Sequence, residues 1–416
     1  MSTLPLEGRP GDRLTPKLRR IRRAAPIALF KSLLTAATHG WQGGGLTIQL
    51  PEGDDFVIPR AGEGPDAVFK VNDIGFMRRV MAAGDIGFAE GYIAGEWDTP
   101  DLAALLSVLA ANFFRLKRLS VGSPLVRLSN RVMHHFRRNT PEQAKRNIYA
   151  HYDLGNDFYQ AWLDPSMTYS SALWAQPDQT LEAAQREKYA ALARAIDLQP
   201  GQHVLEIGCG WGGFAEYAAT EVGAEVTGIT ISKAQYDFAT ARLARAGVAD
   251  RARVVMQDYR DVRGQFDRIA SIEMFEAVGE AYWPGYFAQV HDRLKPGGKA
   301  GLQIITIRDA AFEHYRTRID FIRKYIFPGG MLPSETRLKE ETDRAGLEWA
   351  GINRFGLDYA LTLKLWDERF EAVWPHLKPH GFDEAFRRLW RFYLAYCEAG
   401  FRTKQTDVVQ LVLQRR

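Results

Sequence analysis

Short runs rich in Val and Ile recur through the second half of the chain, at 203–208 (HVLEIG), 225–230 (EVTGIT), 252–257 (ARVVMQ), 266–274 (FDRIASIEM) and 299–307 (KAGLQIITI). Helical stretches such as 232–246 and 281–293 separate them. This alternation predicts an α/β fold with a doubly wound parallel sheet, running from about residue 148 to the C-terminus. Two later runs, LEWAGINRF (347–355) and VVQLVLQ (408–414), enclose a long aromatic-rich helical insertion. Upstream, LTIQLP and DAVFKV alternate and helical patterns follow, so residues 25–110 read as a smaller α+β domain. The longest apolar run, Leu102 to Phe114, falls short of the roughly 18 residues of a membrane span and reads as a buried or interfacial helix. Residues 1–24 are basic and polar, and are expected to be poorly ordered.

Composition adds bounds rather than an answer. A chain of 416 residues is too long for one core, which again predicts two domains. The formal net charge is only +4, so its distribution matters more than its size. Between 111 and 147, nine Lys and Arg side chains face one acid, Glu142, which marks a basic, partly helical linker. Two cysteines exclude a disulfide framework and a cysteine-rich zinc site, and fit a reducing compartment. The first residues hold no apolar core of a secretory leader, so the protein is expected in the cytoplasm.

The most informative segment is VLEIGCGWGG, 204–213, where a strand meets a glycine-rich turn and a helix follows at Phe214. Glycines there let a ligand approach the backbone, and ligands sit at strand carboxyl ends in open α/β sheets. The spacing is E-x-G-x-G-x-G, not the dinucleotide fingerprint, and no phosphate loop is present. The carboxylate of Glu206 repels phosphate and suits a cation. The pattern resembles motif I of the class I methyltransferases, whose donor S-adenosylmethionine carries an ammonium and a sulfonium. Asp258 and Tyr259, after the third strand, suit an adenine amine and ring; Asp258 also reads as a helix N-cap. The acid usual after the second strand is Thr230 here, with Gln235 nearby to serve the ribose.

Further segments narrow the resemblance. HYDLGND (151–157), LDPSMTYS (163–170), GITISKAQ, SIEMFEAVG (271–279), KYIFPGGMLPS (324–334), FGLDYALTLKLWDERF and FYLAYCEAGFR resemble the cyclopropane fatty acid synthase family, over roughly residues 80–416. The resemblance implies methyl transfer from S-adenosylmethionine to the cis double bond of an acyl chain in a membrane phospholipid, through a carbocation. It implies cofactor contacts from Tyr152, Ser170, Glu206, Gly208, Gly210, Thr230, Gln235, Asp258 and Tyr259. It also implies a bicarbonate that removes the proton and lets the ring close, and a homodimer like that of the family's bacterial members. The cation needs a dry, aromatic-walled pocket. Tyr169, Phe275, Tyr325, Phe327, Tyr359 and Trp366 lie in the matching motifs, and each also reads as ordinary core.

The bicarbonate cradle departs from the family pattern. Its glutamate maps to Glu276, its tyrosine to Tyr359 and its isoleucine to Ile305. However, the family's cysteine is Ser171, the fifth strand's histidine is Gln303, and the histidine after the glutamate is Ala277. Three outcomes stay open: a cyclopropane synthase with a substituted anion site, an enzyme that stops at a methyl-branched unsaturated chain, or a methyltransferase of a related lipid or small molecule; a non-catalytic lipid binder is a remoter alternative.

A bilayer substrate requires docking. The basic stretch, with Phe113, Phe114, Leu116 and Phe136 interspersed, suits an anionic membrane surface at about 1 kcal/mol per basic residue. That would place the protein at the inner face of the cytoplasmic membrane. A solvated linker is the alternative, and no nucleic-acid motif is present.

Overall fold

The computed structural model describes residues 39–112 except 52 and 54, residues 154–416, and Thr35 and Leu116. Residues 1–24, most of the basic stretch 111–147, and Tyr152 lie outside the described residues.

Alternating burial along the first strands builds a small sheet. β1 (Leu46–Gln49) pairs antiparallel with β2 (Asp55–Ile58) and parallel with β3 (Ala67–Val71), and β4 (Trp97–Asp98) closes the order β2-β1-β3-β4. Helices α1 (Phe76–Ala83) and α2 (Asp85–Ile93) connect β3 to β4. The apolar run read as a buried or interfacial helix becomes α3 (Leu102–Ala111). It starts where the Asp101 carboxylate accepts the Ala104 N–H at 2.8 Å, and Leu105 and Val108 are buried in the core.

The larger unit begins with α4 (Asn156–Trp162) and α5 (Leu181–Ala195), then β5 (His203–Ile207), the short α6 (Gly213–Tyr217), β6 (Glu225–Thr230) and α7 (Lys233–Arg245). β7 (Ala252–Met256), β8 (Phe266–Ile272), α8 (Trp283–Arg293) and β9 (Leu294–Ile307) follow. Helices α9 (Asp309–Arg316) and α10 (Glu335–Arg344) lead to β10 (Leu347–Arg354). The insertion is a helical pair, α11 (Gly356–Leu377) and α12 (Glu384–Arg402), before β11 (Thr406–Arg415). The seven strands lie in the order β10-β11-β9-β8-β5-β6-β7. The sheet is not wholly parallel as the strand pattern predicts: β11 runs antiparallel to both β10 and β9. The reason is the insertion. Two helices out and back return the chain to the end of the sheet it left, so Val409 pairs with Arg354 and the strand must run the other way.

That end is the carboxyl end of the parallel strands, and the helical pair roofs it. One apolar core runs from Phe69 and Trp97 of the small sheet through Phe392 and Trp390 of α12 to Trp366 of α11. Phe69 meets Trp97 at 5.3 Å between ring centres, and Phe321 meets Phe392 at 4.8 Å. Arg388 of α12 fastens the seam. Its guanidinium donates to the Tyr92 and Trp97 carbonyls at 2.5 and 2.9 Å and lies 3.9 Å from the Tyr92 ring centre.

Candidate active site

The glycine turn takes the shape its composition allows. Gly208, Gly210 and Gly212 have φ of 79°, 52° and 83°, a left-handed region that side chains disfavour. A Cβ on Gly208 would lie 2.6 Å from Met274, whereas one on Gly210 would meet nothing within 4 Å, so Gly210 leaves its side of the turn open. Trp211 donates to the Asn156 side chain at 2.9 Å, tying the turn to α4.

Around this turn the structure gathers most of the residues read as cofactor contacts. Glu206 is buried at the end of β5, and its Oε2 has no hydrogen-bond partner among the described residues. Burial pushes its carboxyl well above the usual range, against the pull of Arg242, the Ala215 amide and Lys188. A buried carboxyl with an unfilled oxygen beside an open backbone fits the ammonium of S-adenosylmethionine. Thr230 donates to Gln235 Oε1 at 2.9 Å, while the Gln235 Nε2 makes no hydrogen bond among the described residues. A donor therefore stands where the ribose acid is missing. Asp258 does cap: its Oδ1 accepts the Arg260 N–H at 3.0 Å, and its carboxylate pairs with the Arg260 guanidinium at 2.8 and 2.6 Å. Tyr259 sits with Tyr286 edge-on at 5.4 Å, and both Asp258 and Tyr259 border the same cavity as the turn. Ser170 is held by Lys188, whose Nζ donates to its Oγ at 2.6 Å; burial pushes the Lys188 ammonium down to about 7.

The cavity measures about 1120 Å³ and is continuous. It runs from the glycine turn past Glu273, Glu276 and Tyr359 to Leu46, Ile48 and Phe69 of the small sheet. Of the aromatic residues read from the motifs, Tyr169, Phe327 and Tyr359 line it. Phe275 and Trp366 are core, the former packed on Trp283 and the latter on Tyr169. Tyr325 belongs to the seam, where its hydroxyl donates to Glu90 at 2.5 Å.

Two acids share the far side of the cofactor end. Glu276 accepts the Ile305 N–H at 2.6 Å through Oε1, and its buried Oε2 has no partner among the described residues. Burial, then the charge of Glu273, pushes its carboxyl up to about 8, so it is neutral at pH 7. Glu273 is differently placed. Its Oε1 accepts the Ser171 N–H and the Gln303 Nε2, both at 2.8 Å, and its Oε2 accepts the Tyr359 hydroxyl at 2.6 Å. Burial raises its carboxyl, while Tyr359, Lys188, Ser171 and Gln303 pull it down. Gln303 is itself fixed by Gln410, which donates to its Oε1 at 3.2 Å.

Of the residues expected to form the bicarbonate cradle, Ser171, Gln303 and Tyr359 gather around Glu273, while Ile305 bonds Glu276. Ser171 and Gln303 do not line the cavity, and the Ser171 hydroxyl donates to the Ala172 carbonyl at 2.9 Å. A second anion beside this carboxylate would meet a repulsion of about 4 kcal/mol at ~4 Å and an effective dielectric of ~20. Its donors are already taken, so these residues do not fit bicarbonate. Glu273, Lys188 and Gln410 were not singled out as site residues by the sequence. The available signal was that SIEMFEAVG carries two acids after one strand.

The strand order, the glycine turn and the cavity at the strand ends define a class I methyltransferase that uses S-adenosylmethionine. The chain matches the family described as mycolic acid cyclopropane synthetase over residues 139–411, and it belongs to that family. It is 40% identical to the tuberculostearic acid methyltransferase UfaA1 of Mycobacterium tuberculosis, over 94% of this chain and 92% of that one. It is 36% identical to the cyclopropane-fatty-acyl-phospholipid synthase of Escherichia coli, over 84% and 88%. Among solved structures it resembles the mycolic acid cyclopropane synthase CmaA1 in complex with SAH and CTAB (TM-score 0.61, 31% identity, 65% of this chain and 98% of that one). It is therefore a lipid-modifying methyltransferase of this family.

Two predictions follow the carboxyls. Glu206→Gln keeps the shape and removes the charge that meets the donor's ammonium, so S-adenosylmethionine affinity should fall about tenfold or more by calorimetry. Unchanged affinity would leave Glu206 a purely structural acid. For Glu276, the native state holds a proton up to about pH 8 that the unfolded chain loses near its ordinary value of 4.5. Its contribution is full below the lower value and is lost as pH rises to the upper one. The melting temperature of Glu276→Gln, relative to the parent, should rise between about pH 5 and pH 8. A pH-independent difference would show that Glu276 is charged throughout.

Proposed function

We propose that this enzyme methylates the cis double bond of an unsaturated acyl chain in a membrane phospholipid and leaves a methyl-branched chain that still carries a double bond. The observation that carries the choice is the Glu273 carboxylate, held by Ser171, Gln303 and Tyr359 where the resemblance implies a diffusible anion. The similarity to a tuberculostearic acid methyltransferase over nearly the whole chain supports it. S-adenosylmethionine supplies the methyl: the alkene pair bonds to it, and the carbon–sulfur pair stays with sulfur. The chain's own residues then manage a cation on the neighbouring carbon. Tyr169, Tyr393 and Phe401 border the cavity, and aromatic walls there would stabilise the cation where water would trap it as an alcohol. Ring closure is the second reading, favoured by the retention of Glu276, Ile305 and Tyr359.

The two differ in product. Lipids of a host expressing the gene, analysed by mass spectrometry, should gain one CH2 and still take up H2 on hydrogenation. A gain without an alkene would mean a ring. No gain at all would remove the acyl reading. With a trideuterated methyl donor, loss of one deuteron would place the abstracted proton on the new methyl; loss of none would place it on the chain.

The basic residues of 111–147 are proposed to dock the enzyme on the inner face of the cytoplasmic membrane. Among the described residues, no helix is long and apolar enough to cross a membrane. Flotation with liposomes should increase with anionic lipid content and fall with salt. Binding indifferent to both would count against this mode.

A further inference from the structure

We infer that Glu273 is the base of the reaction, a carboxylate built into the chain that takes the proton from the methylated acyl cation and makes the enzyme independent of bicarbonate. The inference rests on the acyl-methylation reading above and adds to it the group that ends the reaction.

The geometry argues for a base. A carboxylate offers about four lone-pair directions. Three are filled: two on Oε1, by Ser171 and Gln303, and one on Oε2, by Tyr359. One direction on Oε2 is left, and Glu273 borders the cavity that holds the glycine turn. The three donors come from distant parts of the chain and hold the carboxylate in one place. Gln303 keeps the same charge and donors at any pH, unlike the imidazole of the family pattern, and Gln410 fixes which way its amide faces. Lys188 lies nearby and its positive charge favours the carboxylate, though burial pushes its own ammonium down to about 7.

Holding an acid here is costly, which weighs against a merely structural role. Glu273 has φ 48°, a left-handed conformation that costs a side chain roughly 1–2 kcal/mol and costs glycine little. Its backbone N–H already donates to the Gln303 carbonyl at 2.8 Å, so the strand end is secured without the carboxylate. A buried acid in a strained position on a cavity wall is better explained by chemistry than by packing. Glu276 is the poorer candidate. Its carboxyl rests on the Ile305 N–H and its own amide, with Oε2 unfilled, against three donors from separate segments on Glu273.

The step balances. The Glu273 carboxylate takes a proton from the new methyl carbon, and that C–H bond breaks. Before that, the hydrogen on the methylated carbon has shifted with its electron pair to the neighbouring cationic carbon, so the cation lies on the carbon that bears the new methyl. The C–H pair becomes the second bond between these two carbons, the cation is neutralised, and Glu273 becomes a neutral acid. The proton leaves to solvent as product departs. The positive charge that entered on the sulfonium thus leaves as a proton.

The test uses the purified full chain, S-adenosylmethionine, and vesicles of dioleoyl phosphatidylglycerol, in buffer freed of carbon dioxide and in the same buffer with bicarbonate. The parent enzyme should methylate at the same rate in both. Glu273→Gln, which still fills the cradle, should lose about 100-fold or more in both buffers. Glu273→Gly, which suits the backbone and empties the cradle, should lose as much without carbon dioxide and recover in part with bicarbonate or formate. S-adenosylhomocysteine binding by calorimetry should be unchanged in both variants, a readout independent of turnover. A parent rate that depends on bicarbonate would overturn the inference while leaving acyl methylation intact. A Glu273→Gln enzyme close to parent rate would do the same. No methylated chain from the parent in either buffer would overturn the acyl reading itself.

Discussion

A carboxylate taken out of water must find donors or give up its charge, and the arrangement of this molecule follows from how Glu273 meets that demand. Its donors come from the loop before α5, from β9 and from α11, three segments that meet only in the finished fold. Because α11 belongs to the insertion, the roof over the sheet and the polar centre beneath it form together. Removing any one donor leaves a buried acid short of a bond, at about 1–3 kcal/mol. What faces the cavity is largely aromatic and aliphatic, the surroundings a short-lived carbocation requires.

The cofactor end obeys the opposite rule. There Glu206 is buried without a full set of partners, and the glycine turn leaves backbone exposed at Gly210. A site that is incomplete on its own is one a cationic ligand can complete, which turns a cost in the empty protein into affinity. The contrast between an acid at 273 held by three donors and an acid at 206 with an unfilled oxygen separates the proposed base from the group that fits the donor's ammonium.

Much of this was legible in the chain. The strand runs and the glycine turn are local signals, and a doubly wound sheet brings every strand's carboxyl end to one place, so Glu206, Thr230, Gln235, Asp258 and Tyr259 could be assembled from a linear reading. The apolar run at β11 was visible too, but not its direction, because direction depends on where a two-helix excursion returns. Glu273 was hidden for a similar reason. Its partners lie 102, 30 and 86 residues away, and nothing near it in sequence announces a cradle. The resemblance drew attention to Glu276, three residues on, and the substitutions at 171 and 303 looked like losses. In the structure the amide at 303 suits an acid that is already present, whereas residue 171 meets that acid through its backbone N–H, which any side chain would leave in place.

The small N-terminal sheet has a related logic. The mycolic acid cyclopropane synthase it resembles is matched over 98% of its length by 65% of this chain, so the methyltransferase fold is complete without the small sheet. Yet Leu46, Ile48 and Phe69 border the same cavity as Glu273, and a single apolar core joins the two sheets through α12. A chamber that ended at the insertion would leave that apolar end of the cavity open to water. Extending it with a second sheet lengthens the dry path by apolar surface alone, which binds a hydrocarbon chain without asking it for any polar contact. On the proposed acyl reading, specificity for the reacting carbon would come from distance: a chain entering until its end is stopped would put its alkene wherever the length between that stop and the sulfonium places it.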